Sequence, residues 1–281
     1  MKISVIGTGY VGLVTGVCFA DLGNDVICMD IDKEKIEKLS KGIPVIYEPG
    51  LEELLKRNLK EKRIKFTTSM KETVEDSEII FIAVGTPPDE NGEPDMRAIW
   101  NVAKQIAQYI NGHKIIINKS TVPVGSAERV YKIIKENLTN NHEFDIISNP
   151  EFLREGSAVY DFMNPDRIVI GGSEERAIEK VKELYQPLDA PILITDVKSA
   201  ELIKYASNAY LATRISFINE IANFCEATGA DVELVAKGMG LDKRIGPHFL
   251  NAGIGFGGSC FPKDTLGLVT TAKKFGVECR E

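Results

Sequence analysis

Eight short runs of β-branched and apolar residues recur between residue 2 and about residue 195, and that alternation limits the fold more than any other feature. The runs are KISVIG, DVICMD, RIKFT, EIIFIAVG, KIIINKS, FDIISN, RIVIGG and PILIT. Helical patterns such as DMRAIWNVAKQIAQYI and SAERVYKIIKENL separate several of them. Strands alternating with helices predict βαβ units and a mostly parallel sheet with flanking helices, an α/β fold. At about residue 197 the pattern changes. VKSAELIKYASNAYLATRISFINEIANFCEATG runs without proline to Gly229 with apolar or small side chains at helical spacing, which predicts one long helix. Such a helix exceeds what one face of a small sheet covers, so it joins two domains or forms a subunit interface. ADVELVAKGMG then predicts a short helix. The expected division is a sheet domain over 1–196 and a helical domain over 197–281.

The first strand runs straight into GTGYVG, where Gly7, Gly9 and Gly12 satisfy GxGxxG, and the helix VGLVTGVCFADLG follows. In that setting the glycines let the backbone approach a pyrophosphate, and the helix N-terminus offers it free N–H groups. Asp30 ends the second strand, where a carboxylate accepts from the ribose hydroxyls of an adenosine and repels a 2′-phosphate. A Rossmann-like domain that prefers NAD to NADP is the expectation. The plainer reading, a tight turn and a helix cap, does not account for strand, glycines, helix and acid in this order. VGTPP and STVPVG each end a strand at the sheet edge where open α/β proteins bind ligands, which nominates Thr86 and Thr121 as hydroxyl donors near the cofactor. For Thr86, a proline that simply starts the next loop is the competing account.

Composition removes other classes. The 281 residues carry a net charge of −7, which disfavours a phosphate-backbone binder, so no nucleic-acid partner is expected. No apolar run approaches the length of a membrane span, and the N-terminus reads as a strand rather than a leader, so no membrane and a cytoplasmic location are expected. Five cysteines without a CxxC pair fit a reducing compartment. Cys18, Cys28 and Cys225 lie in apolar periodic segments and are expected to be buried small hydrophobes. The three histidines lack ligand spacing, so no metal is expected.

Cys260 is different. It stands in GFGGSCFPKD, with glycines at 255, 257 and 258 leaving room for a substrate and Pro262 suited to the first turn of a helix. The helix dipole, free N–H groups and Lys263 would all favour a thiolate, making Cys260 a nucleophile. A nicotinamide site with a nucleophilic cysteine points to oxidation through a thiohemiacetal and a thioester that water cleaves to an acid. That chemistry needs oxyanion donors and a proton carrier. Glu201, Lys204 and Asn208 are spaced i, i+3, i+7 on one face of the long helix, and Lys204 and Asn208 are the donors that could meet at one oxygen.

GTGYVG, VGTPP, STVPVG, NPEFLREG, ELIKYASN and GFGGSCFPKD together resemble the UDP-glucose 6-dehydrogenase family, within the UDP-glucose/GDP-mannose dehydrogenases. The resemblance covers essentially the whole chain. It implies a four-electron oxidation of the sugar's C6 alcohol to a carboxylate with two NAD+ consumed in turn. It makes Cys260 the nucleophile, Lys204 and Asn208 the stabilisers of the charged oxygen, Asp264 and Thr121 the residues that hold or activate water, and Glu155 a further acid–base candidate. It places Val11, Asp30, Lys35, Thr86, Thr121, Glu155 and Lys263 on the cofactor side. It lines the sugar nucleotide with Phe152, Leu153, Arg154, Glu155, Lys204, Asn208, the loop Phe249, Leu250, Asn251, Ala252 and Gly253, and Gly257. Arg244 is implied to reach substrate across a homodimer formed through the long helix, and Glu151 stands behind these groups. Family members continue past the cysteine helix into a second α/β domain that holds the uridine diphosphate. The resemblance therefore implies that this part lies outside the 281 residues, which puts substrate affinity and turnover of the chain in question.

Three alternatives stay open. β-Hydroxyacid dehydrogenases share the dinucleotide fold, a long helix and a Lys-x-x-x-Asn pair, but have no cysteine motif and transfer one hydride. An NAD-binding dimerisation module would bind cofactor and no sugar. Dehydrogenases of GDP-mannose and UDP-N-acetylmannosamine share most of the motifs.

Overall fold

The structure, a computed structural model, describes residues 1–90 and 92–279. Eight strands form one sheet: β1 (Lys2–Ile6), β2 (Asp25–Met29), β3 (Ile64–Thr67), β4 (Ile79–Ile82), β5 (Lys114–Asn118), β6 (Phe144–Ser148), β7 (Ile168–Gly171) and β8 (Ile192–Thr195). Each falls on one of the eight β-branched runs. The helices are α1 (Tyr10–Asp21), α2 (Lys33–Ser40), α3 (Leu51–Lys60), α4 (Met70–Glu75), α5 (Arg97–Tyr109), α6 (Ser126–Asn137), α7 (Ala158–Met163), α8 (Glu175–Tyr185), α9 (Val197–Thr228), α10 (Val232–Gly240) and α11 (Phe261–Lys274).

The strand order is β3-β2-β1-β4-β5-β6-β7-β8. Every pairing is parallel except β6 with β7, which meet antiparallel through Ser148 and Gly171. The chain leaves β1 toward β2 on one side and returns to β4 on the other. That reversal opens a crevice at the carboxyl ends of β1 and β4, the place where such sheets bind ligands. Side chains alternate across the sheet. Ile115 and Ile117 join a core shared with residues of α1, α3, α7 and α8, while Ile116 joins a second core with residues of α4, α5 and α6. Burial on both faces explains why the strands read as continuous apolar runs rather than alternating ones. Cys18, Cys28 and Cys225 are buried, as their apolar surroundings predict.

The described chain divides into two compact units. The first comprises Met1–Thr86 and Asp95–Leu202, the second Pro87–Pro94 and Ile203–Glu281. The long helix α9 belongs to both, Glu201 to the first and Lys204 to the second. The excursion Pro87–Pro94 is held in the second unit by the ion pair of Glu93 with Lys274, 2.7 Å, and by Gly92, where a Cβ would fall 2.0 Å from the Leu266 side chain. Among the described residues, no helix is long and apolar enough to cross a membrane.

Candidate active site

In the first unit the glycine turn after β1 sits in the crevice. Gly7 adopts φ +99°, and a Cβ there would lie 2.7 Å from the Ala83 carbonyl oxygen, so both backbone and space exclude a side chain. Gly12 is excluded by contact as well, since its Cβ would fall 1.9 Å from the Gly7 carbonyl oxygen. Gly9, at the N-cap of α1, has φ −71° and nothing within 4 Å of a would-be Cβ. Neither strain nor protein packing calls for glycine there, which leaves close approach by a ligand as the physical use of the missing side chain. Val11 follows, half-buried, in the first turn of α1.

Asp30 ends β2 beside this turn. Its Oδ2 accepts from the Thr8 amide at 2.9 Å, the Thr8 hydroxyl at 2.8 Å and the Lys35 ammonium at 3.0 Å, and its Oδ1 accepts from the Asp32 amide at 3.1 Å. Burial works to raise the Asp30 pKa, but the Thr8 amide and hydroxyl, the Asp32 amide and Lys35 together hold it below the usual value. The result is a fixed carboxylate at the mouth of the crevice. Lys35, placed on the cofactor side by the sequence reading, is thus its partner. Thr8 lies inside the motif without being part of its pattern, and Ile31 next to Asp30 is 84% exposed, an apolar surface of the kind an adenine ring covers. These donors and acceptors suit a dinucleotide, with the glycine turn and the amides of α1 for its pyrophosphate and Asp30 for a ribose.

Thr86 is buried, and its hydroxyl donates to the Thr121 carbonyl oxygen at 2.9 Å. It therefore braces the turn that carries Thr121, and its one proton is not available to a cofactor. Residues 149–157 form a loop after β6. Glu151 is buried and accepts from the Leu153 amide at 2.6 Å, while Glu155 is exposed. The Arg154 side chain, a nominated substrate contact, grips Asp161 through Nε at 3.0 Å and its terminal nitrogen at 2.5 Å. Burial acts to raise the Asp161 pKa and Arg154 outweighs it, keeping the carboxyl ionised. The Phe152 ring lies under the Arg167 guanidinium, 3.6 Å from its centroid.

Glu201 does not join Lys204 and Asn208 in one cluster of reacting groups. Its carboxylate receives the Gly125 amide at 2.7 Å and the Ala127 amide at 2.8 Å, capping the start of α6. Burial pushes its pKa up to about 7 against the lowering by these amides.

In the second unit Cys260 is the N-cap of α11, with Pro262 in the first turn, half-buried at the end of the exposed run 253–259. Its sulfur lies 3.7 Å from the Ser259 hydroxyl oxygen. Asp264, one turn into the helix, is fully buried and accepts from Asn208 Nδ2 and from Lys263 Nζ, each at 2.6 Å. This revises two sequence expectations. The Lys263 charge is paired with Asp264 instead of being reserved for the thiol. Asp264 anchors Asn208 rather than standing open to water. An amide nitrogen carries two N–H groups, so Asn208 keeps one for a substrate oxygen, and its bond to Asp264 aims it. Lys204, buried one turn earlier on the same face of α9, completes the pair.

Arg244 is exposed and pairs with Asp242 at 2.6 Å. Leu250 is buried, Asn251 and Gly253 are exposed, and the Gly253 amide donates to Asn219 of α9 at 2.9 Å. Phe249 adopts φ +60°, a left-handed conformation uncommon for an aromatic residue, and packs edge-on against Phe261. Gly257 is exposed beside the cysteine. Arg214, which sequence reasoning missed, holds this region by donating to the carbonyls of Ile245 at 2.8 Å and Gly246 at 3.0 Å. Among the described residues, no group of three or more His, Cys, Asp or Glu side chains could hold a metal ion.

Residues 1–189 match the NAD binding domain, and residues 198–280 the central domain, of the UDP-glucose/GDP-mannose dehydrogenase family. The chain is 54% identical over 275 residues to the UDP-glucose 6-dehydrogenase TuaD of Bacillus subtilis, covering 98% of this chain and 60% of that protein. A UDP-glucose dehydrogenase from the archaeon Pyrobaculum islandicum superposes with a TM-score of 0.96 at 45% identity, over 99% of this chain and 65% of that one. A GDP-mannose dehydrogenase from Pseudomonas aeruginosa does so with a TM-score of 0.85 at 36% identity, over 99% and 66%. The chain thus spans about 60–66% of the length of these relatives. Its sheet unit is an NAD-binding domain, and the chain belongs to the UDP-glucose/GDP-mannose dehydrogenase family.

Proposed function

We propose that this protein oxidises the C6 alcohol of UDP-glucose to the carboxylate of UDP-glucuronate. One sugar alcohol, one water and two NAD+ give one carboxylate, two NADH and three protons. NAD supplies the hydride acceptor, and the remaining chemistry belongs to side chains. The observation that carries the reading is Cys260 at the N-terminus of α11 with the buried Asn208–Asp264–Lys263 network one turn behind it.

In the first half, a base takes the C6 hydroxyl proton as hydride leaves, and Lys204 and Asn208 hold the oxygen. In the second half, the Cys260 sulfur adds to the aldehyde carbon. The oxygen gains negative charge that the Lys204 ammonium and the free Asn208 N–H oppose. Loss of the second hydride leaves a thioester, and water positioned by Thr121 or Glu155 attacks it, returning the thiol and releasing the acid. Phe152, Leu153, Arg154 and Glu155, the Phe249–Gly253 loop and Gly257 line the sugar nucleotide in this reading.

We propose also that α9 forms a homodimer contact through which Arg244 reaches the partner's substrate. Tyr210, Phe217 and Phe224 are 60%, 48% and 68% exposed at seven-residue spacing, so one stripe of the helix presents aromatic surface. A reducing compartment, the cytoplasm, fits the free thiols.

Counting NADH per sugar tests the reaction. Two per UDP-glucose with glucuronate formed supports the thioester route; one supports a simple alcohol dehydrogenase. GDP-mannose and UDP-N-acetylmannosamine run in parallel decide the sugar, and binding of NAD+ without any sugar would mark a cofactor-binding module.

A further inference from the structure

Glu48 lies in the connection between α2 and α3, where neighbouring Tyr47 is 88% exposed, yet Glu48 itself is 5% exposed. A carboxylate leaves water only where donors replace it. Three do so here. The Gly156 amide donates to its Oε1 at 2.6 Å, the Ala158 amide to its Oε2 at 3.0 Å, and the Tyr10 hydroxyl to Oε1. Gly156 stands at the end of the loop that carries Glu155, and Ala158 begins α7 directly after it. Tyr10 belongs to the glycine turn GTGYVG, and its hydroxyl also lies 2.9 Å from the Arg154 carbonyl oxygen of that same loop. Burial foremost, then the hydrogen bond and charge of Glu48, push the Tyr10 pKa far above its ordinary value, so the phenol stays a donor.

One side chain therefore joins its own segment to two others of the first unit that are remote in sequence. The loop's own carboxylates fix its shape: Glu151 takes the Leu153 amide at 2.6 Å, and Asp161 takes the Arg154 amide at 2.9 Å and the Ser157 hydroxyl at 3.0 Å. Those bonds are internal to residues 151–161, whereas the Tyr10 hydroxyl at the Arg154 carbonyl oxygen and the Glu48 carboxylate join the loop to the glycine turn. Glu48 supplies most of that junction, with three of its hydrogen bonds.

We propose that Glu48 is a positioning residue that locks the 152–156 loop to the glycine turn, so that the pyrophosphate cradle and the loop bearing Glu155 keep one fixed spacing. The inference rests on the reading of this unit as an NAD site used in nucleotide-sugar oxidation. Without the carboxylate, the Gly156 and Ala158 amides and the Tyr10 hydroxyl lose their shared acceptor, and the loop is tied to the turn only through the Tyr10 hydroxyl at the Arg154 carbonyl oxygen.

The test compares Glu48→Ala and Glu48→Gln with the wild-type chain by hydrogen exchange and by calorimetric titration with NAD+. In Glu48→Ala, exchange over residues 152–158 is expected to rise about tenfold while β5 keeps its protection, and NAD+ affinity to fall about tenfold. Glu48→Gln retains one acceptor oxygen and is expected to fall between, which a merely bulky filler would not do. Unchanged exchange at 152–158, or NAD+ affinity within twofold of wild type in the folded variant, overturns the proposal. Should Glu48→Ala fail to fold, the same two measurements on Glu48→Gln decide. A wild-type chain that fails to bind NAD+ overturns the parent reading instead, so the two failures are distinct.

Discussion

Asp30 ends a strand and receives hydrogen bonds from the Thr8 amide and hydroxyl, the Asp32 amide and Lys35, whereas Cys260 begins a helix at the end of the exposed run 253–259. Both are polar groups beside a helix start, and the chemistry expected of each accounts for the contrast. A carboxylate that recognises a ribose must hold one orientation before the ligand arrives, and the sheet end provides backbone amides for that purpose. A nucleophile must be reached, so ordering is moved one turn inward, to the buried Asn208–Asp264–Lys263 network. The two units differ in the same sense. The first closes an apolar core on each face of its sheet, while in the second α10 buries none of its residues and Leu234 and Leu241 are 66% and 78% exposed.

The contrast can be broken by substitution. Phe19 is fully buried, with ring centroids 5.0 Å from Phe162 and 5.2 Å from both Phe81 and Tyr185. Phe19→Ala is expected to destabilise the protein by about 4 kcal/mol in urea denaturation. Phe224→Ala, on the exposed stripe of α9, is expected to shift the same midpoint by less than about 0.5 kcal/mol. A large loss at Phe224 in a monomeric sample would refute the picture of an incompletely covered second unit.

Within the second unit, Asp264→Ala and Cys260→Ala separate anchor from nucleophile. Removing the buried carboxylate leaves the Asn208 amide and the Lys263 ammonium without their acceptor, which costs roughly 3 kcal/mol of stability. Cys260→Ala is expected to leave stability within about 0.5 kcal/mol and NAD+ affinity unchanged. Acid formation from UDP-glucose should nevertheless vanish, since no thioester can form. Equal losses of stability in the two variants would mean that Cys260 is a packing residue.

The sheet was legible because its central strands β1, β4 and β5 are buried on both faces and so carry continuous apolar runs, and β8, half-exposed, still carries a β-branched run of its own. The long helix was legible because no proline or glycine interrupts it between Val197 and Thr228. Cys260 could be placed at a helix start from Pro262 alone. What stayed hidden depends on partners remote in sequence. Glu48 meets Gly156 and Ala158, Arg214 meets the carbonyls of Ile245 and Gly246, and Asn208 meets Asp264. Glu201 was the instructive case, because helical spacing correctly put it on the face of Lys204 and Asn208 but could not show that the α6 amides take its carboxylate. Pro87–Pro94 packs into the second unit through Gly92 and Glu93, contacts with no local pattern.

Glu201 supplies the effect with the most diagnostic pH dependence. Burial raises its pKa from the ordinary 4.5 to about 7, against the Ala127 and Gly125 amides that favour the charged form. Between those values the folded protein holds a proton that the unfolded chain has released. Stability contributed by this group is therefore fully present below pH 4.5 and is lost as pH rises toward 7, by roughly 2–3 kcal/mol. Glu201→Gln cannot ionise, so its stability should lack this pH-dependent loss, at a constant cost of about 1 kcal/mol because its amide nitrogen cannot accept from α6. Denaturation midpoints of the two proteins at pH 4.5, 5.5, 6.5 and 7.5 measure the difference directly. Parallel curves would show that the carboxylate is charged throughout, making the helix cap an ordinary anionic one, as rigidly held as Asp30.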